Sequence, residues 1–402
     1  MSHGRRVGLV LFTEPFQFPP TMQAASLLAE HGWEVDIFGL EIPHIPRSAL
    51  PPGVHLHYFG PVRRGLALRW DYFRFMHWCR QHAARGGHRT FIGYDFMAAW
   101  PADVAARRSG GRLIYHNHDL MLKDQIRGGF YRTVKAMEHR AARRAAMVVF
   151  PQRERARLFQ HEAGLTTMPQ IAFNCPRRSW GQSPLPAAPA EFLAWRERVG
   201  RVVLYQGGMA QHRGIETLLA SVPGWQFAGG LCLLGLPLES GITRWIEKRA
   251  DELGIRERLL LLPPCSHDAL PALTCRADVG VGVMAVGDAV GDDPKYVNLR
   301  HLAGASNKIF EYMAAGLPIL SPAGGGFTEL IAEPQHGVVC DGTSPASIAG
   351  ALNRLFHQPG LAAAIGQRNR AAFQEQFNYD VQLAPLLRLL EAPVPVARRD
   401  ES

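Results

Sequence analysis

Apolar residues along this chain fall into short continuous runs, separated by longer stretches in which they recur every three or four positions. In the front half the runs are Val7–Phe12, Glu34–Phe38, Thr90–Gly93, Leu113–Tyr115 and Met147–Phe150. In the back half they are Val202–Tyr205, Leu231–Leu234, Leu259–Leu262, Val279–Val283 and Ile319–Ser321. Helical spacing holds between them, as at Gln23–His31, Phe130–Ala146 and Thr243–Leu253. Continuous apolar strands alternating with helices predict parallel sheets covered on both faces. The stretch Pro176–Pro189 has four prolines and few large apolar residues, which marks a linker between two such units. The expected organisation is an N-terminal Rossmann-like domain over 1–176, a linker over 177–200, a second Rossmann-like domain over 201–378, and a helix and tail over 379–402. The tail after Glu391 is expected to fray. In open parallel sheets ligands sit at the carboxyl ends of the strands, so the site is expected in a cleft between the two domains.

Composition narrows the class. The chain has 402 residues, 47% hydrophobic and 20% charged, which excludes a wholly disordered protein and suits two or three domains. No apolar run reaches the roughly 18 residues needed to cross a bilayer. The opening run Val7–Phe12 is too short for a secretory leader and reads as a buried first strand. The six cysteines form no C-x-x-C pair, so buried inert thiols in a reducing cytoplasm are expected. Charge is uneven. Residues 1–180 carry 25 Lys and Arg against 13 Asp and Glu, a net of +12, whereas the remainder is at −3. Such a front half fits phosphates, an anionic membrane surface or nucleic acid. No nucleic-acid-binding motif accompanies the charge.

Two segments in the back half have the pattern of anion sites. In Tyr205–Leu219 a strand ends, Gly207 and Gly208 leave it, and Arg213-Gly214 opens a helix. Glycine turns at helix starts let backbone N–H groups approach an anion, and an arginine fork adds two donors. A sharp turn with a solvated arginine is the plainer reading. In Ala305–Leu320, Ser306 or Asn307 caps a helix that Gly316 and Pro318 end. Ile309, Phe310 and Met313 make its core face, and Asn307, Lys308 and Glu311 share another. A cation at a helix start is awkward unless an anion sits there. The plainer reading is a surface Lys308–Glu311 pair. A third glycine turn, Gly324 to Glu329, enters another helix.

The front half offers Tyr115-His-Asn-His-Asp-Leu120 just past a strand, which sets His118 and Asp119 at its carboxyl end. Tyr94-Asp95 takes the same place after Thr90–Gly93. Residues 63–89 hold seven arginines among Trp70, Tyr72, Phe73, Phe75 and Trp78. That stretch suits an anionic bilayer or a lipid diphosphate, and equally a core helix with a solvated face. Asp288, Asp292 and Asp293 lie in a Gly- and Pro-containing loop and read as solvated rather than metal-binding.

In this order and at these separations, the motifs resemble the retaining glycosyltransferases of the GT-B fold, specifically glycosyltransferase family 4, or group 1. Gly32-Trp-Glu-Val-Asp-Ile-Phe38 resembles the family's "rGHeV" strand, and Asp95 with Ala-Trp-Pro-Ala its "hD…a…pa" segment. His116-Asn-His-Asp119 resembles "D-x-H-[DE]", and Asn174-Cys-Pro176 resembles "N-x-P". Gly207 to Gly214 resembles "G-[RG]-l-x-x-x-[KR]-G", Asn307 to Pro318 "NKlfEymaaGlPv", and Gly325 to Glu329 "GG-x-x-E". The resemblance implies two Rossmann-like domains facing across a cleft and transfer of a sugar from a nucleotide sugar to a hydroxyl, in cell-surface polysaccharide or glycoconjugate synthesis. It implies that Arg213 and Lys308 neutralise the donor diphosphate, that Glu311 holds ribose hydroxyls and that His118 meets the donor sugar. Gly207, Gly208, Asn307, Gly325, Gly326 and Glu329 complete the donor side, with Asp95 and Asp119 on the acceptor side. No metal or other cofactor is expected. The partners are the nucleotide sugar and a glycan, lipid-linked or small-molecule acceptor, with peripheral contact to an anionic membrane at its inner face and no nucleic acid.

The chain departs from the family pattern. Ala303 replaces the first carboxylate of the E-x7-E pair, Gly208 stands where many members have arginine, and Thr13–Pro20 lacks the usual glycine pair. These departures keep two alternatives open: a nucleotide-sugar epimerase or hydrolase, and a non-catalytic relative that binds glycan or membrane. A nicotinamide dehydrogenase is disfavoured, because no strand leads into G-x-G-x-x-G with an acidic residue following.

Overall fold

The computed structural model describes residues 5–393, apart from 44, 183 and 333–334, with no side chain described at 288. The chain divides into two compact units. One comprises residues through Phe173 joined by those from Tyr379, and the other is Asn174–Asn378. The tail expected to fray lies, from 394 onward, outside the described residues.

The first unit is built on seven parallel strands: β1 (Arg6–Val10), β2 (Glu34–Leu40), β3 (Val54–Phe59), β4 (Thr90–Tyr94), β5 (Arg112–His116), β6 (Met147–Phe150) and β7 (Gln170–Ile171). Their order is β3-β2-β1-β4-β5-β6-β7. Two of them escaped the apolar-run reading. β3 alternates histidine and tyrosine with apolar residues at a sheet edge, and β7 has only two residues. The helices Tyr379–Gln382 and Ala384–Glu391 belong to this unit. The Gln382 side chain accepts from Phe173 N–H at 3.0 Å, and buried Arg112 donates to the Leu390 carbonyl at 2.8 Å.

The second unit is a six-stranded parallel sheet: β8 (Arg201–Gln206), β9 (Gly229–Leu234), β10 (Leu259–Leu262), β11 (Val279–Val281), β12 (Ile319–Pro322) and β13 (Gly337–Cys340), ordered β10-β9-β8-β11-β12-β13. In each unit the order reverses beside the first strand, which makes both sheets doubly wound. The proline-rich stretch leads into the helix Ala190–Val199, which buries Phe192, Trp195 and Val199 within the second unit.

One side chain seats the helix Asn307–Ala315 on this sheet. The Tyr312 hydroxyl lies 3.1 and 3.2 Å from the Leu204 and Val281 carbonyls, and Gln206 N–H donates to it at 3.1 Å. The ring lies flat against Gly280, where a Cβ would come within 2.2 Å of Cγ. Lys308 and Glu311 ride on the same helix, so their placement depends on this contact. Gly280→Ala is therefore expected to lower unfolding stability by about 2 kcal/mol or more, because overpacking here has no flexible neighbour to yield. Chemical denaturation of the variant checks this, and Tyr312→Phe should cost about 1 kcal/mol through its lost hydrogen bonds.

Candidate functional site

In the second unit, the loop leaving β8 and the helix Asn307–Ala315 bring Arg213 and Lys308 together. Lys308 is buried, its Nζ 3.8 Å from the centre of the Tyr205 ring. Gly207, at φ 124°, leaves the space it needs, since a Cβ there would lie 3.1 Å from Nζ. Neither Lys308 Nζ nor Arg213 Nε has a hydrogen-bond partner, and neither side chain forms an ion pair among the described residues. Burial holds the Lys308 ammonium well below the ordinary lysine value. The Arg213 charge pushes the same way, and Glu311 pulls against them. The surface Lys308–Glu311 pair is thus not formed: both residues are buried, and Glu311 is bound elsewhere.

Glu311 accepts from His267 Nε2 at 2.9 Å and from the Gln206 amide. Gln206 in turn accepts from the Thr274 hydroxyl at 2.9 Å. Nothing in the sequence pattern singled out His267, which comes from the loop after β10. Arg213 stands in a short 3-10 turn, Gln211–Arg213, and Gly214 at φ 76° separates it from the helix Ile215–Ser221. The arginine therefore precedes the helix rather than opening it. Ser306 occupies the cap position of Asn307–Ala315 without a side-chain cap bond. Asn307 begins the helix with a buried, unpartnered Oδ1. Gly208 accepts from the Tyr205 hydroxyl through its carbonyl at 2.8 Å.

The third glycine turn is wholly left-handed, with φ of 90°, 60° and 86° at Gly324, Gly325 and Gly326. The Gly325 carbonyl accepts from Leu302 N–H at 3.2 Å and Ala303 N–H at 3.0 Å. Where the family pattern has its first carboxylate, buried Ala303 braces this turn through its backbone. Glu329 follows in a π-helical turn, Thr328–Ala332, and is exposed. Asp292 pairs with Arg300 at 3.4 Å and Asp293 with Lys295 at 2.9 Å, while the Asp288 side chain lies outside the described residues. Among the described residues no cluster of three His, Cys, Asp or Glu side chains could hold a metal.

In the first unit His118 is buried between two flat aromatic partners. The Tyr94 ring is stacked at 5.1 Å and the Phe18 ring at 5.5 Å. Phe18 comes from the loop that replaces the family's glycine pair. Among the described residues neither His118 ring nitrogen has a hydrogen-bond partner, though Nδ1 lies 3.7 Å from Asp95 Oδ2. His116, beneath it at 4.9 Å, is fully buried, and burial pushes its pKa well below the usual value with His118 adding to the shift.

Asp95 organises the loop. One oxygen accepts from His118 N–H at 2.6 Å, Asp119 N–H at 3.1 Å and the Asn117 amide at 3.2 Å. It does so from φ 59°, a left-handed conformation that is costly for a residue other than glycine. Buried Arg155 donates to the His118 carbonyl at 2.8 Å and lies 3.7 Å from Asp119, whose side chain is exposed. Burial pushes the Arg155 guanidinium down to about 10, against the opposing charges of Asp119 and Asp95. A few residues on, buried Lys135 pairs with Glu138 at 2.7 Å and donates to the Met121 carbonyl.

The Asp95 carboxylate satisfies three donors at once, so its removal is expected to loosen the loop even where the backbone relaxes. Asp95→Gly relieves the φ strain but orphans those donors. It should lower stability by about 1–3 kcal/mol and raise amide exchange at His118 and Asp119. Asp95→Asn keeps an acceptor oxygen and should lose less. Thermal melts with hydrogen-exchange mass spectrometry decide between the two outcomes.

Comparison with known proteins adds the following. Residues 200–372 match the family described as glycosyl transferases group 1, and residues 20–169 match the glycosyl transferase 4-like domain. A D-inositol 3-phosphate glycosyltransferase of Xylanimonas cellulosilytica is 27% identical over 210 residues, 51% of this chain and 46% of that protein. A GDP-mannose-dependent alpha-(1-6)-phosphatidylinositol monomannoside mannosyltransferase of Mycobacterium tuberculosis is 26% identical over 209 residues, 52% of each. The chain thus spans about half the length of these relatives. Among solved structures, Anabaena HepE in complex with UDP-glucose superposes with a TM-score of 0.70 at 14% identity, covering 96% of this chain and 99% of that one.

Proposed function

Because the chain belongs to the group 1 glycosyltransferases and shares their GT-B fold, we propose that it is a retaining glycosyltransferase that moves a hexose from a nucleotide sugar to a hydroxyl acceptor. The observation that carries the proposal is the pair Arg213 and Lys308. Buried Lys308 and half-buried Arg213 lie together with no carboxylate ion-paired to either among the described residues. Holding such charges unneutralised is costly unless a polyanion joins them. A nucleoside diphosphate has the required charge. As the sugar leaves, its anomeric carbon becomes oxocarbenium-like and negative charge grows on the diphosphate. Fixed cations at that point stabilise the transition state more than the ground state.

The other roles follow from the chemistry available. Glu311, oriented by His267 and Gln206, takes the ribose hydroxyls, and the unpartnered Asn307 oxygen accepts from the donor. Backbone N–H groups of the Gly324–Gly326 turn meet sugar or phosphate oxygens, with Glu329 beyond them. On the acceptor side His118, fixed by its stacked rings and by Asp95, presents its free nitrogens to the sugar. The relatives act from GDP-mannose in one case, and HepE binds UDP-glucose. We take both UDP- and GDP-sugars as donor candidates.

A thermal-shift and turnover screen with UDP-, GDP-, ADP- and dTDP-sugars tests the reading. A nucleotide at one hundred times its dissociation constant should stabilise the protein by ~2.7 kcal/mol. Lys308→Ala and Arg213→Ala should each lower kcat by about 100- to 1000-fold and diminish the nucleotide-induced shift. Indifference of the wild type to every donor by both measurements would overturn the assignment.

The depressed Lys308 pKa gives a second, independent test. In the free protein the ammonium loses its proton at lower pH than an exposed lysine does. A bound diphosphate favours the charged form and raises that pKa. Between the two values, binding must take up a proton, and affinity must fall as pH rises. Calorimetry of UDP or GDP in buffers of different ionisation enthalpy should show net uptake in the wild type and its loss in Lys308→Met.

A further inference from the structure

The helix Arg153–Ala163 turns Arg155, Ala156, Phe159 and Ala163 inward. An arginine thus stands on a face that helical spacing otherwise gives to apolar residues. The start of the helix holds it there, because the Gln152 side chain accepts from Arg155 N–H at 2.9 Å. Arg155 is only 1% exposed. Taking a guanidinium out of water is costly, and an apolar residue of similar volume would serve the fold at least as well. Packing alone therefore does not account for it.

Its donor reaches the residue on which the first unit's site centres. Arg155 Nη1 donates to the His118 carbonyl at 2.8 Å. The N–H of the same peptide, that of Asp119, donates to Asp95 Oδ1 at 3.1 Å, and His118 N–H donates to that oxygen at 2.6 Å. The peptide after His118 is thus gripped at both ends, and the peptide before it at its N–H. Further along the loop, buried Lys135 donates to the Met121 carbonyl, and Lys123 N–H donates to Glu162 at 2.6 Å. Two buried cations therefore hold carbonyls of one short loop.

Stacking cannot replace these contacts. The Phe18 and Tyr94 rings set the plane of the imidazole, but a ring can still slide and turn within that plane. The place of the His118 backbone decides where in the plane its two nitrogens point. We propose that Arg155 is a positioning residue for sugar transfer: by clamping the His118 carbonyl it sets the direction in which the imidazole meets the donor sugar. Lys135 supports it by anchoring the loop at Met121. Both act through the backbone, without touching substrate. The inference rests on the role given to His118 above and adds how that role is built.

The test compares Arg155→Met, Arg155→Lys and Lys135→Met with the wild type. Diethylpyrocarbonate labelling of the free protein, mapped by mass spectrometry, reads the shielding of each histidine. His118, His88 and His336 are all buried and should react slowly in the wild type. Loss of a charged hydrogen bond should raise His118 labelling by about tenfold in Arg155→Met. His88 and His336 should stay shielded, which a general loss of stability would not allow. With UDP-glucose or GDP-mannose as donor, kcat should fall by about 10- to 100-fold, while the UDP- or GDP-induced thermal shift stays as in the wild type. Arg155→Lys keeps the charge and should soften both effects. Lys135→Met should show the same pattern more weakly, and these two variants carry the readouts if Arg155→Met does not fold. Wild-type shielding of His118 in the variants overturns the proposal, and so does labelling that rises equally at all three histidines. A wild type that turns over no donor removes the donor reading, and the labelling still decides whether Arg155 holds His118. Unchanged labelling with donor turnover intact removes this proposal alone.

Discussion

A lysine ammonium shut away from water beside an arginine, with no carboxylate ion-paired to either among the described residues, is the constraint around which the second unit is built. Desolvation and like charge both act against it. The fold tolerates the arrangement because stronger contacts fix the surroundings. Tyr312 ties the helix to the two central strands, Tyr205 offers its ring face to the ammonium, and Gly207 clears the space. A ring face attracts a cation without neutralising it. The amine is therefore held in place, preorganised before any anion arrives.

The first unit solves a different problem, which is how to hold a buried imidazole in one orientation without bonding its nitrogens. Stacking between Phe18 and Tyr94 fixes the plane of His118, and Asp95 fixes the backbone beneath it through three accepted hydrogen bonds. Strain at Asp95 is the cost of placing one oxygen within reach of all three donors. Among the described residues both ring nitrogens remain without a hydrogen-bond partner, shut away from solvent.

Sequence pattern read the architecture well, because continuous apolar runs are a direct consequence of strands buried on both faces. β3 escaped it because an edge strand is covered less and carries histidines, β13 because it is a four-residue edge strand that opens on a glycine, and β7 because two residues make no pattern. Chemistry and spacing together singled out Arg213, Lys308 and His118 as candidates, and the structure gives each a half-buried or buried setting. The two strand-terminal carboxylates were readable only as positions. That Asp95 braces a loop, and that Glu311 is held by His267 and Gln206, depends on contacts between residues far apart in the chain. One helix start was misplaced, because Gly214 in a left-handed conformation detaches Arg213 from its helix, whereas the other begins as expected after Ser306, which caps by position alone. Phe18 gave no signal at all, since a phenylalanine in a proline-rich loop looks like any other.

The polypeptide leaves the first unit after Phe173 and re-enters it at Tyr379. That unit is therefore discontinuous in the gene, completed only when the last segment has been synthesised. Until then Phe173 N–H lacks its Gln382 acceptor and Arg112 lacks the Leu390 carbonyl. The second unit is an uninterrupted stretch, able to collapse while the ribosome is still translating. The unit nearer the amino terminus can therefore pair its strands early but makes these two contacts only after the whole second unit has been synthesised.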